Sequence, residues 1–430
     1  MLAIALFSTY GAYAQTEILL HTFTGGNDGS EGGNFSSIGS DAGNLVFDSS
    51  GNLYGSAIQG GAAETVCGAG CGVIYELSPN GSGDWAQNIL HIFRGSDGFM
   101  PKSGVVLDPA GNIYGTTEWG GPCLITGCGP NCLIYGCGVA YELSPAGGGQ
   151  WNFKILHAFT GGADGANPWG NLILDASGNL YGGTVLGGAL GKCPSEGCGV
   201  IFELSPQANG SWKETVLHTF AQTDGEQSYG GLTLDASGNL FGTTAHGGSV
   251  GWGVVFRVAP SSSSKWTYSI LHDFVGYQDG ANPAGNLLID RAGNIFGATT
   301  DGGLHACGGD EGCGVIFEIS PSSTGRWTKR NLYIVPDSAS ILPNGSMAAD
   351  SAGNLYETLR GSGGIYGAVI ELSPGSSGWT ERTVFDFSGT ATGEYPNGGV
   401  VLDPFGNLYG ATSTGGLGSC SCGVIYELVR

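Results

Sequence analysis

Basic residues are scarce. The 430-residue chain carries 14 Lys and Arg against 36 Asp and Glu, a formal net charge of −22. Such a surface repels phosphate backbones and anionic headgroups, which argues against nucleic acid and peripheral membrane surfaces as partners. No apolar run is long enough to span a bilayer, so membrane insertion is not expected. A sustained helical period is also missing, which leaves the chain almost entirely β. No Ser-His-Asp order, phosphate loop or haem-attachment motif stands out, so no catalytic residue is assigned. Glycine, by contrast, is abundant at 83 residues, yet 41% hydrophobic and 10% aromatic residues are too many for a disordered chain. Here glycine punctuates strands.

What is present is a repeat. Asp-x-x-Gly-Asn-(Leu/Ile)-(Tyr/Phe) begins at Asp48, Asp108, Asp175, Asp235, Asp290, Asp350 and Asp403, with spacings of 60, 67, 60, 55, 60 and 53 residues. Repetition on this scale marks one supersecondary unit per copy. The Asp side chain accepts from backbone N–H groups two residues on, and Gly takes the positive φ that a tight hairpin needs. A calcium loop would need more oxygen ligands at fixed spacing, and they are absent.

Each unit holds four strand candidates, which in the third copy are 171–175, 179–184, 199–204 and 212–220; we name them a to d. The fourth opens with Trp85, Trp151, Trp212, Trp266, Trp327 and Trp379, expected as core or inter-unit packing. Only six fourth strands follow a third strand. The seventh stands at the other end of the chain, where Ile18-Leu19-Leu20-His21-Thr22-Phe23 matches Val216-Leu217-His218-Thr219-Phe220. The expectation is an all-β, seven-bladed β-propeller closed by the N-terminal strand in the last blade. Met1 to Phe7 followed by Ala12-Tyr13-Ala14 fits a secretory signal, though without a basic n-region. That leaves residues 15–430 as one exported domain, expected as a monomer.

The Asp-x-x-Gly-Asn-Leu-Tyr-Gly-x-Thr, Gly-Val-(Ile/Val)-(Phe/Tyr)-Glu-Leu and Leu-His-x-Phe-x-Gly-x-x-Asp-Gly segments resemble the GloVer tandem repeat, the Gloeobacter–Verrucomicrobia type, from about Ile18 to Leu428. The resemblance implies a bacterial secreted or surface protein with propeller-like repeats and no assigned activity. Members commonly carry a C-terminal anchor. No anchor is visible in Glu427-Leu428-Val429-Arg430, a departure from that pattern.

In a propeller, b-to-c and d-to-a loops share one face, where long loops on a rigid scaffold present binding residues. All 12 Cys fall in b-to-c loops: Cys67/Cys71, Cys123/Cys128/Cys132/Cys137, Cys193/Cys198, Cys307/Cys313 and Cys420/Cys422. Even counts in an exported chain read as local disulfides, with the pairing open in the four-Cys loop. Zinc is the rival there, but the spacing lacks paired C-x2-C knuckles. Each short loop stabilises by about 2 kcal/mol, so the staples shape loops more than they hold the fold. The single residue between Cys420 and Cys422 would strain that bridge and leave it redox-labile.

His21, His91, His157, His218 and His272 share one repeat position, filled elsewhere by Tyr333 and Phe385. A position that accepts Phe concerns ring packing. Asp28, Asp97, Asp164, Asp224 and Asp279, each before Gly, are ordinary turn residues and weak calcium candidates; no other cofactor is expected. Departures from the repeat are more informative: Glu118, Trp119, His246, Asp301 and Arg360 after strand b, and Trp252, His305 and Tyr366 in the loops. Mixed charge with aromatics suits a glycan or peptide ligand, although lone surface aromatics are common. The expected function is a binding or scaffold module using the stapled face. The alternatives are a carbohydrate-active hydrolase or lyase on the same face, and a purely structural envelope protein.

Overall fold

The structure, a computed structural model, describes residues 15–30, 44–61, 67–81, 83–122, 132, 135–188, 191, 193, 196–261, 265–303, 312–336, 341–343, 346–361, 364–389, 391–416 and 420–430. The proposed signal segment 1–14 lies outside them. Among the described residues there is no α-helix, and a 3-10 turn lies at Tyr277–Asp279. Seven antiparallel sheets succeed one another in strand order a-b-c-d and form the blades of a β-propeller. In blade 3 the strands are Ala166–Pro168 with Ile173–Leu174 as a, then Leu180–Leu186, Val200–Pro206 and Trp212–Thr219.

Strand a is thus broken in two, where one run over 171–175 was expected. Blades 5 and 7, with Pro283 and Pro396 at the place of Pro168, keep strand a in one run at Ala281–Ile289 and Glu394–Leu402. Strand c also outruns its expected end, because its hairpin with d is paired as far as Pro206 opposite Trp212.

Each hairpin turn between a and b closes on its Asp. Asp175 Oδ1 accepts from the Ser177 and Asn179 N–H groups at 2.8 Å, and Oδ2 accepts from Asn179 Nδ2 at 2.9 Å and Tyr181 OH at 3.0 Å. Gly178 sits at φ 85° in that turn, where a side chain would be strained. Burial alone would raise the Asp175 carboxyl, but these donors outweigh it and hold it below the ordinary carboxylate value.

The outer strand of blade 7 is Thr16–Thr22, antiparallel to Val424–Val429, with Thr16 opposite Val429 and Thr22 opposite Val424. Blades pack through aromatics. Trp212 meets Tyr114 of the preceding blade at 6.0 Å and Trp266 meets Tyr181 at 5.9 Å. Trp85 of blade 1 meets Tyr409 of blade 7 at 6.3 Å, and Leu20, Phe23, Leu53, Tyr75 and Ile425 share that same core cluster.

Near the axis the inner strands bond to each other across blades. The Gly104 N–H donates to Asn171 Oδ1, that of Gly231 to Asn286 Oδ1, and that of Gly399 to Asn44 Oδ1, each at 2.6 Å. A Cβ on Gly170 would fall on the Gly230 carbonyl, and one on Gly230 would meet the Gly285 carbonyl. Only glycine lets these backbones approach so closely.

Candidate functional site

Above this waist all seven blades carry one more a–b bridge: Ser30 with Gln59, Phe99 with Trp119, Ala166 with Leu186, Glu226 with His246, Ala281 with Asp301, Ile341 with Gly361 and Glu394 with Thr414. The strand-b residues one step before these bridges form a ring of equivalent positions: Ile58, Glu118, Val185, Ala245, Thr300, Arg360 and Ser413. These positions stand at the loop-face end of the two inner strands, the mouth of the propeller; only Glu118 and Arg360 among them are charged, and all but Arg360 are buried.

The residues one step after the bridge on strand a are unusual in backbone. Met100, Asn167, Gln227, Asn282 and Tyr395 have φ between 53° and 62°, a region that side chains other than Gly seldom occupy. Each donates its N–H to the preceding blade: Met100 to the Cys71 carbonyl, Asn167 to Cys137, Gln227 to Cys198, Asn282 to Trp252 and Tyr395 to Tyr366, at 2.7–3.2 Å. The acceptor always immediately precedes the Gly that opens strand c. The staples therefore anchor the mouth, and Trp252 and Tyr366 stand where the other five blades have Cys. Both are half-buried and pack against core clusters.

One cluster spans blades 2 to 4. Lys102 Nζ lies 3.0 Å from Glu118 Oε2 and 3.4 Å from the centre of the Trp169 ring. Asn167 Nδ2 donates to the Glu118 carbonyl at 3.1 Å, and the Tyr229 ring meets Trp169 edge-on at 5.0 Å. Lys102 is 4% exposed and Glu118 5%. Burial pushes the Glu118 carboxyl up and the Lys102 ammonium down, and each charge opposes the shift of the other. Tyr229 is pushed up to about 12 by burial first, then by Glu118 and Glu226. Asn167 Oδ1 and Trp169 Nε1 are buried without a hydrogen-bond partner.

Lys102, Trp169 and Tyr229 are absent from the sequence-derived candidates. Their signal is a departure from the repeat: six residues before the repeat Asp, where these three stand, blades 5 to 7 have Ala284, Asn344 and Asn397.

The remaining candidates are dispersed round the mouth. Trp119 stacks on Tyr135 at 5.0 Å and tilts against Phe99 at 5.5 Å. His246 is half-buried and engaged through its backbone with Glu226. Asp301 Oδ2 accepts from Asn282 Nδ2 at 2.6 Å and Thr300 Oγ1 at 2.9 Å, in blade 5. Glu118 and Asp301 are thus held by different partners, three blades apart. Arg360 lies in blade 6, and Tyr366 and Tyr395 have ring centres 6.5 Å apart beside it. His305 lies outside the described residues.

The five Asp-Gly carboxylates meet the five repeat histidines. Nε2 to carboxylate distances are 3.7 Å for His21–Asp28, 3.1 Å for His91–Asp97, 3.3 Å for His157–Asp164, 3.4 Å for His218–Asp224 and 3.0 Å for His272–Asp279. The same carboxylates accept loop N–H groups from Thr24, Arg94, Thr160, Ala221 and Val275. The histidines pack as rings too, His91 stacking on Phe153 at 4.1 Å and His218 on Tyr268 at 3.8 Å. No group of three metal-ligating side chains gathers among the described residues. Disulfides join Cys67–Cys71, Cys132–Cys137, Cys193–Cys198 and Cys420–Cys422. Cys313 is also disulfide-bonded, while Cys307, Cys123 and Cys128 lie outside the described residues.

Residues 41–308 match the model of the Gloeobacter/Verrucomicrobia repeat. The chain belongs to this repeat family. No curated protein matches it. Among solved structures, a protein from Lactobacillus plantarum is similar to this family member with a TM-score of 0.51 at 14% identity, over 79% of this chain and 84% of its own. That likeness is one of fold alone. A putative gluconolactonase reaches a TM-score of 0.36 at 13% identity, over 68% of this chain and 81% of its own. At that level it bears on neither site nor activity.

Proposed function

We propose that this propeller is a binding module of an oxidising compartment that holds a carbohydrate at the axial mouth of its stapled face. The disulfides support the compartment, since such bonds persist outside the reducing cytosol. The observation that carries the function is the Lys102–Glu118 pair sealed against Trp169. A buried ion pair is a poor stabiliser compared with apolar packing of equal volume, so its presence calls for another role. Here it fixes Trp169 and Tyr229 from below, and Tyr229, Gln227, Glu226, His246 and Trp119 remain half-exposed around them. Aromatic faces beside amide, hydroxyl and carboxylate groups suit the stacking and hydrogen bonding of a sugar ring.

Hydrolysis has less support. Glu118 is paired to an ammonium group and Asp301 to Asn282 and Thr300, so these two do not face one another across a glycosidic bond. A glycan array on the protein, followed by titration of the best hit, tests the proposal. Tyr229→Ala should weaken binding about tenfold or more through loss of an aromatic contact, and Trp169→Ala should weaken it too by removing the buried ring that holds Tyr229. An array without hits, or a hit indifferent to both substitutions, contradicts it.

A further inference from the structure

We infer that Arg360 is an anion-binding point at this mouth, and that the carbohydrate held there bears a carboxylate, as a sugar acid does. The inference rests on the mouth being a ligand site and adds the chemical class of the ligand. Arg360 is the basic counterpart of Glu118 in the ring of equivalent strand-b positions, lying opposite Leu342 in blade 6. Its side chain is half-buried, and its Nε is sealed from solvent with no hydrogen-bond acceptor.

Arg257, opposite Ser269 on strand c of blade 4, also has a buried Nε without an acceptor, but it lies off strand b and outside this set of equivalent positions. Lys102, Lys329, Arg330, Arg382 and Arg430 each pair with a carboxylate at 2.5–3.3 Å. Arg360 has no such pair among the described residues, in a chain with 36 acidic and 14 basic side chains. Glu394, at the a–b bridge of the next blade, accepts from Thr414 Oγ1 at 3.2 Å.

Burial opposes the charge of a guanidinium, but arginine does not lose its proton in proteins. A half-buried arginine left without a carboxylate is open to an anionic ligand, and its planar fork fits a carboxylate through two parallel hydrogen bonds. Tyr395 is within electrostatic reach of Arg360, and the Tyr366 ring centre lies 6.5 Å from that of Tyr395, so the pair offers ring faces and hydroxyls to the rest of such a ligand. The net charge of −22 disfavours polyanions and leaves a small, singly charged acid as the class that fits.

The test is calorimetric titration of the full chain with D-glucuronate and D-galacturonate, with D-glucose, D-galactose and inorganic phosphate as comparison ligands. The acids should bind, and Arg360→Gln should weaken them about tenfold or more while leaving neutral sugars unchanged, as expected for losing hydrogen bonds to a charged group. Arg360→Lys should fall between the two, since it keeps the charge and loses the fork. Thermal unfolding of both variants establishes that they are folded, and Arg360→Leu serves if Gln is not. Acids bound no better than neutral sugars, phosphate bound as well as the acids, or acids indifferent to Arg360→Gln would each overturn the inference. Neutral sugars that bind through Trp169 with no contribution from Arg360 would leave the proposed function standing; failure of every sugar to bind removes both.

Discussion

Lys102 and Glu118 face each other at 3.0 Å, neither of them open to solvent, with the lysine ammonium over the ring of Trp169. Removing either partner strands the other charge in an apolar site. Lys102→Met or Glu118→Leu alone should cost about 3–5 kcal/mol, whereas the double replacement should come within about 1 kcal/mol of the parent. Denaturant unfolding of the three variants decides the matter, and singles that add up to the double would contradict a coupled pair.

A second prediction concerns blade packing. In strand b, Gly182 lies so close to Phe202 that an added Cβ would sit 2.6 Å from the ring. Blade 6 shows the alternative, with Glu357 at that position opposite the smaller Ile370 of strand c. Gly182→Ala should therefore destabilise by about 1–3 kcal/mol through overpacking. Adding Phe202→Ile should recover part of that loss, and a double variant weaker than the sum of the singles would sink the idea.

The pH dependence has two opposite arms. Burial raises the Glu17 carboxyl from 4.5 to about 7, so the folded chain holds a proton that the unfolded chain releases earlier. Its contribution is present below pH 4.5 and is lost as pH rises towards 7. Glu17→Gln should flatten that decline. Asp279 runs the other way: burial raises it, but His272, Lys329 and the Val275 N–H outweigh this and lower it from 3.8 to about 2. Its contribution is present above pH 3.8 and is lost as pH falls to about 2. Chemical denaturation of the parent and of Glu17→Gln and Asp279→Asn across pH 2–8 shows whether each arm belongs to its residue.

What the sequence disclosed and what it concealed divide along range of interaction. The Asp175 turn is built from contacts within six residues, and it folds as its composition implies. The Cys193–Cys198 staple is equally local, and the Trp266 series shows in its spacing. The His–Asp pairs were concealed because each partner has a sufficient local explanation, ring packing for His272 and a turn for Asp279. Their co-occurrence was visible nonetheless, since Phe385, in place of His, goes with Thr392 in place of Asp. Trp252 and Tyr366 looked like free aromatics until the N–H groups of Asn282 and Tyr395 showed them filling the staple position. Lys102 meets Glu118 within its own blade but Trp169 in the next, and no spacing rule states that contact.

The account depends most on the stapled face, at the axis, being where ligand sits. Hydrogen–deuterium exchange of the chain with and without its strongest glycan from the array examines this directly. Slowed exchange should concentrate in residues 98–104, 117–119, 165–170, 225–230 and 359–361. Protection confined to the Asp-x-x-Gly-Asn turns, or to the outer strands that begin at Trp212 and Trp266, would place the ligand elsewhere and contradict it.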